Sequence, residues 1–591
     1  MLITAENKAI LKRLCKILKP YIKKIIAILI CIILSSVITI LLPFIGMKIT
    51  DEGLVAGKLS VVVVYSLVTL CLVAVEKGIG LIETKYYAYI NSIFPYTLSK
   101  MAFKHTLKLK MSYFNNTNFA EIMNNISMDV GNISKICDRS MFFIISQALR
   151  IFGGIIGLLI IDCRLTILVV TIVPLRYFLV KYLAKKRMEI LLKYMDQNRE
   201  YSAWYGDTIG GVKEVKLWGI DRLKIGQFIK KQRKIIKTNI KLVFMDKINE
   251  NSEAILFQVI TSALYILGAY MLMQNSMTLG GIFTFITYSY FVTEPISAIL
   301  NIGYHFSGIF PSAKRFFEFL DLEQEESSNT KGIRVLKSSS FEGFIKFEKV
   351  NFSYQQGEPI LRDISFEIGK GEKIAIIGTN GSGKSTLINL LLRFIKPDSG
   401  RITLDGIDIN EFRVKDYRGI ISVVSQDLYL FNATIEENIA INTGIKEYWV
   451  HRAAKESGAY DFIMNIPQKF KYEVGRNGSK LSGGQKQKIA MARAFARKSA
   501  RIIILDEATS NYDMEAEARL NEILSQDFTE KNIILISHKP EILKKVDRII
   551  IIDKGRINDM GNHEELYSRN ELYRRLSRNK KEVEKEEREV V

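Results

Sequence analysis

Lys373-Ile374-Ala375-Ile376-Ile377 runs directly into Gly378-Thr379-Asn380-Gly381-Ser382-Gly383-Lys384-Ser385-Thr386, and an apolar stretch, 387–394, follows. The first five residues read as a buried strand, the glycine-rich nine as a loop, and the rest as a helix. The spacing G-x-x-x-x-G-K-S in a strand–loop–helix setting is a P-loop. Its glycines let backbone N–H groups close around phosphate oxygens, and the helix N-terminus adds its dipole. Lys384 is placed to reach the β- and γ-phosphates of a nucleotide, and the Ser385 hydroxyl to ligate Mg²⁺. The region 344–577 around this stretch therefore reads as a soluble α/β P-loop nucleotide-binding domain.

Downstream, Arg501-Ile502-Ile503-Ile504-Leu505 reads as a second strand and ends in Asp506-Glu507. A carboxylate at the carboxyl end of a parallel strand lies where such sheets bind ligands. Asp506 is expected on the Mg²⁺ side, and Glu507 is placed to orient or activate an attacking water. Leu481-Ser482-Gly483-Gly484-Gln485 opens a further helical segment. Small residues before a helix N-terminus make a second phosphate-contacting surface. Because 378–386 already supplies a cradle, 481–485 is expected to face the nucleotide held by another copy of the domain.

Upstream the composition changes. The whole chain has 591 residues, 48% of them hydrophobic and 10% aromatic, which excludes a disordered chain. Its five cysteines include no CxxC pair, which excludes a disulfide-built module. The apolar character is concentrated in 1–320, where six stretches are long enough to cross a hydrocarbon core of about 30 Å. They are 21–47, 59–82, 141–161, 165–182, 254–273 and 279–302. The third and fourth are separated only by Asp162-Cys163-Arg164 and form a hairpin. A basic stretch before the first span, 8–24, contains an amphipathic helix expected on the inner leaflet; the apolar run after it is too long for a signal peptide. The connections 83–140 and 183–253 are long, helical in character, and in the second case rich in Lys and Arg, whereas 274–278 carries no charge. The positive-inside rule then places both termini and both long loops in the cytoplasm. Much of the net charge of +21 is thus topological, and no nucleic-acid motif accompanies it. A polar linker is expected at 321–343 and a solvated charged tail at 578–591.

With these features in order, the chain resembles an ATP-binding cassette (ABC) exporter of the half-transporter type, over about residues 15–575. The most specific element is 481–485 ahead of Asp506-Glu507. The resemblance implies an all-α six-span transmembrane domain followed by the α/β nucleotide-binding domain, and further roles. Tyr354 matches the aromatic that stacks on adenine, Gln426 the glutamine that senses Mg²⁺, Asp513 the aspartate of a loop crossing the dimer interface, and His538 the histidine at the γ-phosphate. Tyr113-Phe114 with 119–124 resembles the first coupling helix, and 207–211 before Val212-Lys213-Glu214-Val215 the second. Two departures stand out: Val474-Gly475-Arg476-Asn477-Gly478 has Arg and Asn where Glu and Arg are common, and Asn511-Tyr512 replaces Ala-Leu. Nothing resembles a cysteine-peptidase domain, so leader processing is not expected.

The resemblance implies ATP hydrolysis coupled to export by alternating access, with two composite sites in a homodimer embedded in membrane lipids. A bacterial cell membrane is the expected location. A peptide or modified peptide is the first expected cargo, a lipid or drug the alternative, and an ATP-gated channel or regulatory subunit a second one. Glu294, an intramembrane carboxylate before Pro295, is expected to line the substrate cavity and favour cationic cargo, or else to pair with another span.

Overall fold

The structure is a computed structural model. It describes residues 5–115, 119–326, 334, 342–354, 357–441, 444–506, 531–537 and 539–577, and for 115, 119–121, 140, 172, 175 and 296–307 the backbone alone. The chain divides into two compact units. One comprises Met1–Leu107 and Asn118–Leu322, the other Lys108–Thr117 and Glu323–Val591.

The first unit is helical: α1 Ala5–Leu18, α2 Ile22–Lys48, α3 Leu59–Thr106, α5 Phe119–Ser134, α6 Arg139–Ile161, α7 Cys163–Gly210, α8 Val212–Leu217, α9 Asp221–Met273, α10 Leu279–Thr293 and α11 Pro295–Leu320. The intervening α4, Met111–Asn115, belongs to the second unit. Among the described residues five helical stretches are long and apolar enough to cross a membrane, and Leu279–Thr293 is a shorter apolar helix. Helices α7 and α9 run on far past their apolar parts, as the long loops with few Gly or Pro imply. The turn at Asp162 is a cap as well as a break, because its carboxylate accepts the N–H groups of Arg164 and Leu165 (2.8 and 2.9 Å). At the other connection Asp51 accepts the Gly280 N–H (2.7 Å) and Thr278 Oγ1 accepts that of Gly281 (3.0 Å), which supplies the first turn of α10 with acceptors.

The sixth apolar stretch is interrupted at Glu294, where Pro295 is expected to bend it, because Pro295 has no N–H to continue the ladder and starts α11. One expectation changes. The apolar face of α1 does not lie open to lipid. Ile10 and Leu14 are buried with Ala313, Phe316 and Phe317 of α11 and with α2 and α3, leaving the lysines outward.

In the second unit two sheets form. The strands are β1 Ile345–Ser353, β2 Pro359–Ile368, β3 Lys373–Gly378, β4 Ser399–Leu404, β5 Ile407–Asp408, β6 Ile421–Val424, β7 Ile502–Asp506, β8 Asn532–Ile536, β9 Arg548–Asp553 and β10 Arg556–Gly561. A four-stranded antiparallel sheet has the order β2-β1-β4-β5; a six-stranded sheet has the order β10-β9-β3-β8-β7-β6, parallel except for the β10 edge. The central strands are buried on both faces, which accounts for their unbroken Ile-rich runs. Buried Asn532 ties the two sheets, donating to the Gly343 and Gly369 carbonyls (2.9 and 2.8 Å) and accepting from Gly371 N–H (3.1 Å).

Candidate functional site

Parallel pairing puts the carboxyl ends of β6, β7, β8 and β3 on one edge of the sheet. The P-loop 378–386 follows β3, Gln426 lies two residues beyond β6, and Asp506 closes β7. In register, Asp506 and Ile376 both pair with Ile536 of β8, so they face each other across that strand at about 10 Å, two inter-strand spacings. This is the edge where open α/β sheets take ligands.

The loop itself is shaped for a phosphate chain. A Cβ at Gly378 would stand 2.1 Å from the Ile552 carbonyl oxygen, so only glycine fits there. Gly383 has φ +104° and caps helix α12, Lys384–Leu391, whose first N–H groups therefore open toward the loop. Lys384 Nζ donates to the Gly378 and Thr379 carbonyls (2.8 and 3.0 Å), which folds the loop over its own ammonium. Ser382 is 2% exposed, and its hydroxyl has no hydrogen-bond partner among the described residues. Asn380, Gly381 and Ser385 are exposed and Thr386 is buried. Two loop carbonyls on the Lys384 ammonium, an orphaned hydroxyl and helix N-terminal N–H groups fit a nucleoside triphosphate, and exposed Ser385 with Asp506 fits a divalent cation.

Ser482 begins helix Gly483–Ala496 with a reciprocal cap: its hydroxyl accepts from Gln485 N–H (3.3 Å) and its N–H donates to Gln485 Oε1 (2.9 Å). Leu481 is buried as an anchor, while Ser482 and Gly483 are exposed and Gly484 and Gln485 half-buried. The helix thus presents its N-terminal N–H groups outward, as a surface for a phosphate needs.

Gln426 is exposed, and the loop after it is pinned by residues that sequence reading missed. Arg493 donates to the carbonyls of Tyr429 (3.0 Å) and Asn438 (2.9 Å), and burial pushes its guanidinium down to about 10. Asn477, one of the two departures in 474–478, accepts the Leu430 N–H (3.3 Å) from a left-handed backbone, φ 48°. Asn tolerates that conformation better than most residues, which is a physical reason for its presence. The signal for Asn477 was in the sequence as a departure; Arg493 gave none.

Tyr354 is 54% exposed and edge-on to Phe352, centroids 4.9 Å apart. It lines a cavity of about 340 Å³ with Phe394 and Lys396, and with Lys110 and Ser112 from the first long loop. That loop segment is integral to the second unit: the Glu325 N–H donates to the Lys108 carbonyl (2.8 Å), and Lys110 pairs with Glu323. The helical character expected at 113–114 is present in α4, Met111–Asn115. The second expected coupling segment shifts: 207–210 is still α7, and the separate short helix is α8, Val212–Leu217. Glu507, Asp513 and His538 lie outside the described residues.

In the helical unit Glu294 stands at the break between α10 and α11 and is half-buried. Its carbonyl, not its carboxylate, accepts from Arg176 (3.4 Å), and Arg176 forms an ion pair with Glu253.

The family profile described as "ABC transporter" matches residues 361–510, and that described as "ABC transporter transmembrane region" matches 25–296. The chain is similar to the ATP-dependent lipid A-core flippase of Alcanivorax borkumensis, with 31% identity over 527 residues, 88% of each chain. It is 28% identical over 584 residues to a Bacillus subtilis protein bearing the name multidrug export ATP-binding/permease protein YgaD, covering 96% of this chain and 98% of that one. Among solved structures, a bacterial Atm1-family ABC exporter with ATP bound superposes with a TM-score of 0.79 over 94% of this chain and 98% of that one, at 24% identity, and shares the fold.

Proposed function

This chain belongs to the ABC transporter family, with transmembrane and nucleotide-binding parts fused, and on that premise we propose that it is a dimeric exporter of a lipid or lipid-like amphiphile. ATPase-coupled transport follows from the membership itself. The finer reading of cargo is carried by one observation: the 31% identity, over 88% of both chains, to a protein named as a lipid flippase. It reverses the order in which sequence reasoning ranked peptide and lipid. The Bacillus subtilis relative favours drug-like amphiphiles as a second reading.

In the proposed cycle the chain-borne steps are these. The 378–386 backbone and Lys384 hold the β- and γ-phosphates, and Tyr354 stacks on the base. Ser482–Gln485 of a second identical subunit closes over the same nucleotide. Ser385, Asp506 and Gln426 would hold Mg²⁺, which offsets phosphate charge when bound. Glu507 orients the water, His538 contacts the γ-phosphate, and Asp513 lies at the dimer interface. Closure is driven only by the difference in ATP affinity between closed and open states. Both termini lie in the cytoplasm of a bacterial cell.

The test is ATPase activity of the chain alone in lipid nanodiscs, with Glu507→Gln as blank, alongside light scattering for the dimer. Activity raised by lipids supports the reading. Activity raised by peptides and indifferent to lipids overturns the cargo, and a monomer with no activity overturns the homodimer.

A further inference from the structure

Four charges lie within electrostatic reach of Tyr290: Arg150, Arg176, Glu253 and Glu294. They come from α6, α7, α9 and the α10–α11 break. At a 1.5 Å rise per residue, Arg150, Arg176 and Glu294 lie roughly 15–25 Å below the outer ends of their helices, in the inner half of a hydrocarbon core. Charges at that depth are expensive unless paired. Two of them are paired: Arg176, 2% exposed, with Glu253. Glu294 also lies within electrostatic reach of Arg176, but not in an ion pair with it. Among the described residues Glu294 has no side-chain hydrogen bond or ion pair. Among the described residues Arg150 meets the Phe291 ring, 5.8 Å away, and no side-chain hydrogen-bond partner. One turn from Arg150 on α6, Gln147 is 1% exposed with an orphaned side-chain oxygen. Among the described residues, then, α6 carries a cation and the α10–α11 break an anion, neither held by a side-chain hydrogen bond.

Beside Arg150, toward the outer end of α6, lies an apolar groove of about 260 Å³ between α2 and α6, lined by Leu149, Phe152, Gly153, Ile40 and Phe44. A lipid of the cytoplasmic leaflet has its head at the inner boundary and its chains pointing toward the midplane. The charge pair and the groove have that same order.

We propose that Arg150 and Glu294 bind the two opposite charges of a zwitterionic glycerophospholipid headgroup, the phosphate on Arg150 and the ammonium on Glu294, with an acyl chain in the α2–α6 groove. This rests on the reading of the protein as an amphiphile exporter and narrows it: the earlier expectation of cationic cargo takes account of Glu294 alone, whereas the free charges balance to zero.

The experiment uses the full chain in proteoliposomes with acyl-chain-labelled phosphatidylethanolamine, phosphatidylglycerol and a diacyl trimethylammonium lipid. ATP-dependent change in dithionite accessibility reports translocation. Wild type is expected to move phosphatidylethanolamine fastest. Glu294→Gln and Arg150→Gln should each slow it about tenfold, the loss of one charge-assisted contact. Their errors should be opposite, the first variant levelling phosphatidylglycerol with phosphatidylethanolamine and the second levelling the cationic lipid with it. Glu294→Asp and Arg150→Lys should restore the order. Translocation by wild type that ignores the headgroup, or favours either singly charged lipid, overturns the proposal, whether or not the variants fold. An unchanged order in both Gln variants overturns it equally. Active ATP hydrolysis with no labelled lipid moved by wild type overturns the amphiphile reading itself.

Discussion

Arg13 and Asp321 form a two-pronged ion pair, Nη1 to Oδ2 at 2.7 Å and Nη2 to Oδ1 at 2.8 Å, that fastens α1 to the end of α11. The same guanidinium lies over the Phe317 ring, 4.2 Å from its centroid. The hydrogen bonds hold the Asp321 carboxyl below the usual carboxylate range. Both side chains are about half exposed, so Asp321→Asn should cost no more than about 1 kcal/mol globally. Its local effect is larger in kind: amide exchange across Ala5–Leu18 should quicken while that of α2 stays unchanged. Unaltered exchange in α1 would refute the clamp.

Arg176 and Glu253 obey a different rule, because Arg176 is buried. Glu253→Gln leaves a charge without its partner and is expected to destabilise the helical unit by about 3–5 kcal/mol, whereas Arg176→Leu with Glu253→Leu should recover most of it. Thermal unfolding in detergent compares the two, and equal losses would contradict this account.

For Asn477, backbone conformation sets the order of substitutions. Asn477→Gly keeps the left-handed turn and loses one hydrogen bond to Leu430, about 1 kcal/mol. Asn477→Val also forces a β-branched residue to positive φ and should be worse. Urea unfolding of the full chain, followed by tryptophan fluorescence, should rank wild type above Gly and Gly above Val.

Acid should loosen one corner of the nucleotide-binding unit. His563 Nδ1 lies 2.6 Å from the Tyr573 hydroxyl, and burial, aided by Lys544, depresses its imidazole below the usual 6.5. The unfolded chain therefore takes up the proton first. The contribution is present above about pH 6.5 and lost as pH falls through the lower folded value. Hydrogen exchange in helices His563–Arg569 and Glu571–Ser577 should rise below about pH 6, less so in His563→Gln. Burial raises the Tyr573 hydroxyl to about 12, so its share disappears only in strong alkali.

The P-loop was legible because strand, loop and helix are contiguous, and Gly378, Gly383 and Lys384 act within one short segment. The strand-end acid Asp506 was legible for the same reason. The interruption of the sixth span was legible because Pro295 lacks an N–H whatever its surroundings. The face of α1 was misplaced because amphipathicity reports an apolar stripe and not what covers it. Arg493 and Asn532 left no local trace, since their partners lie far along the chain in neighbouring strands and loops. Glu294 was legible as an intramembrane acid, but whether it pairs with another span was not, because that depends on Arg176 turning its guanidinium to Glu253.

Residues 108–115 fold with the nucleotide-binding unit although some two hundred residues of the helical unit separate them from the rest of it. A gene for the catalytic half that began near Glu323 would encode an incomplete object, with the Glu325 N–H and Glu323 stripped of their partners on Lys108 and Lys110. Exchanging one half of the gene alone would likewise set a foreign Lys108–Lys110 segment against a native Glu323–Glu325. The boundary between the two halves in the gene is therefore not the boundary between them in the fold.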